Sequence, residues 1–216
     1  MAGYSNQKVF ILYEDEHLLV VKKPFGMESQ RGKSFAMDQE SLLRGYLSSK
    51  TKTDNPYLAV VHRLDRPVAG VMVYAKTKKA AADLSAQLQT ENFSKKYEAV
   101  VSGIVPACEG RLEDYLTADK RTGTTSVSSK ADPLAKKAVL TWKEIAREEV
   151  KSGEILLPYA SNPSPEGGWH FLSIVLETGR HHQIRAQLSH AGMPIAADVR
   201  YGGAKVYGPV SYTHLR

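Results

Sequence analysis

Residues 60–77, "VVHRLDRPVAGVMVYAKT", constrain this chain more than any other stretch. Val60-Val61 leads in and Val71-Met72-Val73-Tyr74 leads out, and both runs have the β-branched and aromatic character of buried strand. Between them stand His62, Arg63, Asp65 and Arg66. Ionisable side chains at the hinge of two apolar strands are costly unless each finds a partner. A lone aspartate in such a turn is satisfied by nearby N–H groups or by a neighbouring arginine. Here a second segment of the same kind exists. Residues 176–202 set Arg180, His181, His182, Gln183 and Arg185 beside another apolar strand, and a buried carboxylate needs cationic partners of that sort.

The elements around these segments follow from periodicity. Val9–Tyr13 and Leu18–Lys22 read as a hairpin, stopped by Pro24 and Gly26. Asp38 is placed to cap a helix carrying Leu42, Leu43, Tyr46 and Leu47 on one side. Thr77–Phe93 is rich in good helix formers and predicts a long helix. Tyr97–Val101, Ala138–Trp142 and Phe171–Leu176 predict strands, and His181–His190 a short helix ended by Gly192 and Pro194. Lys120–Lys136 is polar and reads as loop with room for a short strand. Ser152–Trp169, with three prolines and three glycines, reads as a long mobile loop. Strands and helices mix without βα alternation. That favours α+β, with a mixed, mostly antiparallel central sheet flanked by helices. The expectation is a single domain over 1–216.

Charge narrows the function classes. Lys plus Arg number 29 against 23 Asp plus Glu, a net charge of +6, which favours an acidic partner such as nucleic acid. No apolar run approaches the roughly 18 residues of a membrane span, and the N-terminus has no signal-peptide pattern. Cys108 is the only cysteine, so neither an intrachain disulfide nor a thiolate metal cluster is available and a reducing cytoplasm is expected. Residues 26–34, "GMESQRGKS", imitate a phosphate loop, but five residues rather than four separate Gly26 from Gly32. His181, His182 and His190 fit no common metal spacing, and the first two are expected on different faces of a helix.

The longer patterns resemble a known family. "HRLDRPVAGVMVYAKT" resembles the catalytic motif of the RluA-type pseudouridine synthases. "KKYEAVVSG" at 95–103 resembles their tyrosine motif, and "ETGRHHQIRAQLSHAGMPIAADVRYGG" at 177–203 their third motif. "VFILYEDEHLLVVKKPFGM" resembles the opening hairpin, so the likeness runs from about Val9 to Gly203. It implies a pseudouridine synthase fold with a catalytic cleft, acting on a ribosomal or transfer RNA stem-loop in the cytoplasm as a monomer, without metal or cofactor.

The same resemblance assigns roles. Asp65 is implied as the catalytic nucleophile, Tyr97 as the ring that stacks on the target base, and Arg185 as the partner of Asp65. Arg63 is implied as the side chain that fills the space the base leaves. Arg66, Arg180, His182, Lys76, Lys95 and Lys96 flank these positions and are candidate RNA contacts; for the lysines a solvated surface is the plain alternative. The chemistry suits the residue types. Uridine becomes pseudouridine when the C1′–N1 bond breaks and C1′ rejoins the base at C5. A carboxylate can attack C1′ as in retaining glycosidases, or remove a C2′ proton, and both routes remain open.

Two departures stand out. The family's frequent N-terminal S4 domain is expected to be absent. The end, "SYTHLR", matches no family element and reads as a truncation or a non-native scar, which leaves the last strand of the sheet unaccounted for. A non-catalytic RNA-binding module would share the fold, but Asp65, Tyr97 and Arg185 together argue against it. A base-removing hydrolase would release free uracil rather than rejoin it.

Overall fold

The structure is a computed structural model, and it describes residues 9–32, 37–90, 94–146, 168–203 and 212–215. The chain divides into two compact units, Met1–Phe93 and Ser94–Arg216. Among the described residues, the pairings between strands within each unit are antiparallel. With three α-helices this is the expected α+β class.

In the first unit, β1 (Phe10–Glu14) and β2 (Leu18–Lys23) form the predicted hairpin. Asp15 closes its turn by accepting the N–H groups of His17 and Leu18 at 2.7 and 2.6 Å. Along β2 alternate residues Leu19, Val21 and Lys23 are buried, the period expected of a strand with one covered face. Helix α1 (Gln39–Thr51) starts at Asp38, whose carboxylate accepts the Ser41 N–H at 2.9 Å, and it buries Leu43 and Leu47. A short β3 (Ala59–Val60) precedes β4 (Ala69–Ala75), which pairs with β2 from Leu18↔Ala75 to Lys23↔Gly70.

Helix α2 (Lys78–Gln87) lies within the predicted helix, is capped by Thr77, and stops well before Phe93. The chain tightens there into i→i−3 bonds, Gln89 N–H to Ala86 and Thr90 N–H to Gln87. The Thr90 hydroxyl also donates to the Gln87 carbonyl at 2.7 Å, a local competition that ends helices. Residues 91–93 lie outside the described residues.

The second unit contains β5 (Lys95–Ser102), β6 (Glu109–Asp119), β7 (Thr124–Ser128), β8 (Lys136–Glu144), β9 (Trp169–Leu176), α3 (Gln183–His190) and β10 (Tyr212–Leu215). Its strands run in the order β10-β5-β9-β8-β6-β7. Val100, Leu140, Leu172, Ile174, Leu188 and Ile195 are fully buried here, each worth roughly 1.5–3 kcal/mol of transfer free energy.

Two further readings needed correction. Periodicity predicts no strand over Glu109–Asp119; β6 hides there because Arg111 and Glu113 occupy its outer face, and only cross-strand pairing with β7 and β8 reveals it. Tyr212–Leu215, part of the end that matches no family element, pairs with β5 from Tyr212↔Ala99 to Leu215↔Lys96. One edge of β5 is paired with β9, and β10 satisfies N–H and C=O groups on the other. Finally, α3 begins at Gln183, not His181, because His182 adopts a left-handed φ of 49°. The expected loop over Ser152–Trp169 falls almost wholly outside the described residues, and its last residue opens β9.

Candidate active site

In the first unit Asp65 sits half-buried in the loop between β3 and β4. The loop is clamped by groups the sequence reading passed over. Lys23 is completely buried, because its place in the β2 alternation points it inward. Its ammonium donates to the carbonyls of Met27 at 2.6 Å, Pro24 at 3.1 Å and Arg66 at 3.4 Å, which is how an interior charge is tolerated. Ser29 Oγ donates to the Leu64 carbonyl at 2.6 Å and accepts the Leu64 N–H at 3.0 Å. Tyr74 Oη in turn donates to the Ser29 carbonyl at 3.1 Å. Gly26 donates its N–H to the Arg66 carbonyl at 3.0 Å and bends the chain with φ 77°. The false phosphate loop is thus, over its described part, the brace of the Asp65 loop.

The charged neighbours of Asp65 have separate tasks. Arg66 is exposed and donates Nε–H to the Gly26 carbonyl at 3.0 Å. His62 Nε2 accepts the Val73 N–H at 3.1 Å, so the neutral ring carries its proton on Nδ1. Arg63 is exposed and makes no hydrogen bond or ion pair with a described residue. The Val68 N–H closes the turn on the Asp65 carbonyl at 2.9 Å. Lys76 is committed: Nζ lies 2.8 Å from Glu14 Oε1 and donates to the Asp15 carbonyl. Burial alone would raise the Glu14 carboxyl, but hydrogen bonds from Lys76, Lys50 and Tyr46 outweigh it and hold it at about 2. An RNA phosphate at Lys76 would have to compete with that carboxylate.

In the second unit Tyr97 is only 7% exposed, in β5 between Ile174 of β9 and His214 of β10. Lys96 is exposed and Lys95 half-buried; a Cβ on Gly179 would come within 3.3 Å of the Lys95 ammonium, so the glycine leaves room for it. Buried Gln183 organises the turn before α3. Its Oε1 accepts from the Thr178 hydroxyl at 2.8 Å and the Arg180 N–H at 2.9 Å, and its Nε2 donates to the Val139 carbonyl at 3.0 Å. Arg180 is exposed and donates Nε–H to the Lys137 carbonyl at 2.9 Å.

Arg185 is buried and forks onto Asp198, Nε to Oδ2 at 2.6 Å and Nη2 to Oδ1 at 2.8 Å. Its guanidinium lies 4.6 Å from the ring centroid of Tyr201. Tyr201 Oη accepts the Thr125 N–H at 2.8 Å and bonds His182 Nδ1 at 2.7 Å. His181 and His182, expected on different helix faces, instead stack at 3.8 Å because neither lies within the helix. Burial, then the charges of Arg185, His181 and Arg200, push the His182 imidazole down to about 3, so it is neutral near pH 7. As an RNA contact it therefore offers hydrogen bonding and no charge.

Asp198 and Tyr201 were missed as supporting residues. The signal was present: Asp198 is the only acidic residue between Glu177 and Gly203, and a buried arginine needs one. The turn that delivers it includes Ala197 at φ 65°, a left-handed conformation costing on the order of 1 kcal/mol or more. Bonds from Tyr201 N–H and Gly203 N–H to the Asp198 carbonyl, both 2.9 Å, hold that turn.

Among the described residues no group of three or more His, Cys, Asp or Glu side chains could hold a metal ion. No described helix is long and apolar enough to cross a membrane. Chemically, the first unit presents a carboxylate on a braced loop beside an exposed arginine that pairs with no described residue. The second presents an aromatic strand residue and an arginine locked in orientation.

These features agree with what the chain is similar to. It is 34% identical over 202 residues to "Ribosomal large subunit pseudouridine synthase D" of Pseudomonas aeruginosa, covering 93% of this chain and 56% of that protein. It is 30% identical over 192 residues to "tRNA pseudouridine synthase C" of Yersinia pestis, covering 89% of this chain and 70% of the relative. The chain thus spans little more than half the length of the first of these. In fold it matches the structure titled "Human RNA Pseudouridylate Synthase Domain Containing 1" with a TM-score of 0.70 at 19% identity, over 100% of this chain and 80% of that one. A sequence model of the family described as RNA pseudouridylate synthase matches residues 17–190, and the chain therefore belongs to the RNA pseudouridylate synthase family.

Proposed function

We propose that this protein isomerises specific uridines in structured RNA to pseudouridine. The observation that carries the reading is the braced Asp65 loop. A half-buried carboxylate is fixed through Lys23, Gly26 and Ser29, and exposed Arg63 stands two residues away. Relatives whose names specify ribosomal and transfer RNA support both as substrate classes.

In this reading the target uridine leaves its helix, at a cost of a few kcal/mol, and Arg63 fills the gap. Asp65 either attacks C1′ or removes the C2′ proton. The C1′–N1 bond breaks, the uracil turns, and C1′ bonds to C5. N1 gains a proton and C5 gives one up, so atoms and electrons balance without an oxidant or a metal. Tyr97 stacks on the uracil and keeps it from diffusing away. Arg185, oriented by Asp198, supplies the positive charge that favours an ionised Asp65. Arg180, Lys95 and Lys96 hold flanking phosphates.

Asp65→Asn tests the assignment. Asn keeps the shape and removes the charge and the nucleophile. Tritium release from C5-labelled uridine in ribosomal and transfer RNA should vanish while RNA binding persists. Release near the wild-type rate would sink the role of Asp65. Wild-type protein that binds these RNAs and releases no tritium would point instead to a non-catalytic RNA-binding module.

A further inference from the structure

We propose that the second unit carries an additional RNA subsite: a groove that holds a single-stranded nucleotide flanking the target uridine. The groove has a volume of about 580 Å³ and is lined by the end of β6, by β7, by residues 134 and 136, and by the turn 179–181. That volume lies within the roughly 300–1,000 Å³ of ligand sites. The proposal rests on the reading that the substrate is RNA.

Among the described residues, the cations beside this groove have no carboxylate partner, unlike Lys137 and Arg111. Lys136 and Lys137 are adjacent in β8, so their side chains leave opposite faces. Lys137 is neutralised by Glu113 at 2.6 Å, and Arg111 by Glu113 and Glu177 at 2.7 and 3.2 Å. On the groove side Lys136 and Lys120 make no ion pair or side-chain hydrogen bond with a described residue. Among the described residues the Arg180 side chain spends only Nε, on the Lys137 carbonyl, which leaves both terminal nitrogens for an anion. Among the described residues no carboxylate lines the groove. Those near it in sequence are engaged elsewhere: Asp114 accepts from Gln187 and Glu177 pairs with Arg111. Asp119 accepts from Arg121 N–H and the Thr122 hydroxyl, and Asp132 from Thr117, Ser128 and the Leu134 N–H.

The remaining lining suits a base. His181 is exposed, yet its ring is fixed by the stack on His182 and by the bond of Nδ1 to Thr125 Oγ1 at 3.0 Å. Leu116, Ala118 and Leu134 give an apolar wall. Unpaired cations beside a fixed aromatic ring and an apolar wall match how single strands are held, with phosphates on the cations and a base on the ring. The cations come from three separate segments, which suits an extended strand better than one compact anion.

The test uses the whole chain and the double variant Lys120→Gln/Lys136→Gln, with Lys143→Gln on the outer part of β8 as control. The probes are a short single-stranded oligouridylate and bulk transfer RNA, with uridine monophosphate as competitor. Each phosphate contact to a single strand contributes a salt slope of about 0.7, so the double variant should lower the slope of log K against log salt by about 1.4. The control should leave it unchanged. In tritium-release assays the double variant should raise KM and keep kcat. An unchanged slope and KM, with wild-type release intact, would overturn the groove and leave the isomerase reading standing. The slope change without any wild-type release would uphold the groove and defeat the isomerase reading. Competition by the free monophosphate as strong as by the oligonucleotide would overturn the strand assignment.

Discussion

Arg185 shows how much a single side chain depends on neighbours far from it in purpose. Asp198 holds one edge of its guanidinium, and Tyr201 covers its face. His182 completes the arrangement by bonding Tyr201, and it does so as a neutral ring. This gives a pH dependence with a definite sign. The unfolded chain binds a proton at His182 below about 6.5, whereas the folded chain resists it until about 3. Stability is therefore unaffected by this group above about 6.5 and is lost progressively as pH falls from there towards 3. His182→Asn should flatten that part of the stability–pH curve in denaturant melts, since asparagine tolerates the left-handed φ and never charges. A curve between pH 4 and 6 equally steep in both proteins would remove His182 from the account.

Elements differ in how firmly their ends are tied. Asp38 is buried, caps α1 through the Ser41 N–H and also accepts the Ser41 hydroxyl at 2.7 Å. Thr77 caps α2 with one bond of 3.2 Å to the Ala80 N–H, on a helix with no buried residue. Asp38→Ala should thus cost about 1–2 kcal/mol and Thr77→Ala about 0.5 kcal/mol, the two ends of the range for lost caps. Equal losses would mean that burial of the cap is irrelevant. The Asp38 cap and the β1–β2 hairpin were legible because each depends on residues within a few positions. Strand β6 was not, since its outer face is charged and its stability comes from pairing with β7 and β8. The end of α2 was misplaced because a hydroxyl at Thr90 competes for a helix carbonyl.

For the whole molecule, a net charge of +6 says only that an anion is a suitable partner. The distribution decides where. Lys50 and Lys76 are neutralised on Glu14, and Arg111 and Lys137 on Glu113, while Lys120 and Lys136 beside the groove pair with no described residue. The proposed isomerisation moves one bond within one substrate, so conversion in RNA that stays folded should survive a chelator. Loss of activity in EDTA, restored by zinc or magnesium added back to protein alone, would overturn the metal-free mechanism.

Local pattern determined the α+β class, most strands, the starts of α1 and α2, and the residues that carry the family motifs. It could do so because strand and helix periods and capping side chains are short-range properties. Tertiary structure decided what each polar group meets. Ser29 reaches Leu64, thirty-five positions on, and Lys23 reaches Arg66, forty-three on. Neither partner is implied by periodicity, which says that a face is covered and not by what. The same holds for Arg185, which has Asp198 thirteen residues away as a partner the motif did not announce. A buried charge is satisfied by whichever donor or acceptor packing brings within about 3 Å, and packing is a property of the folded chain as a whole.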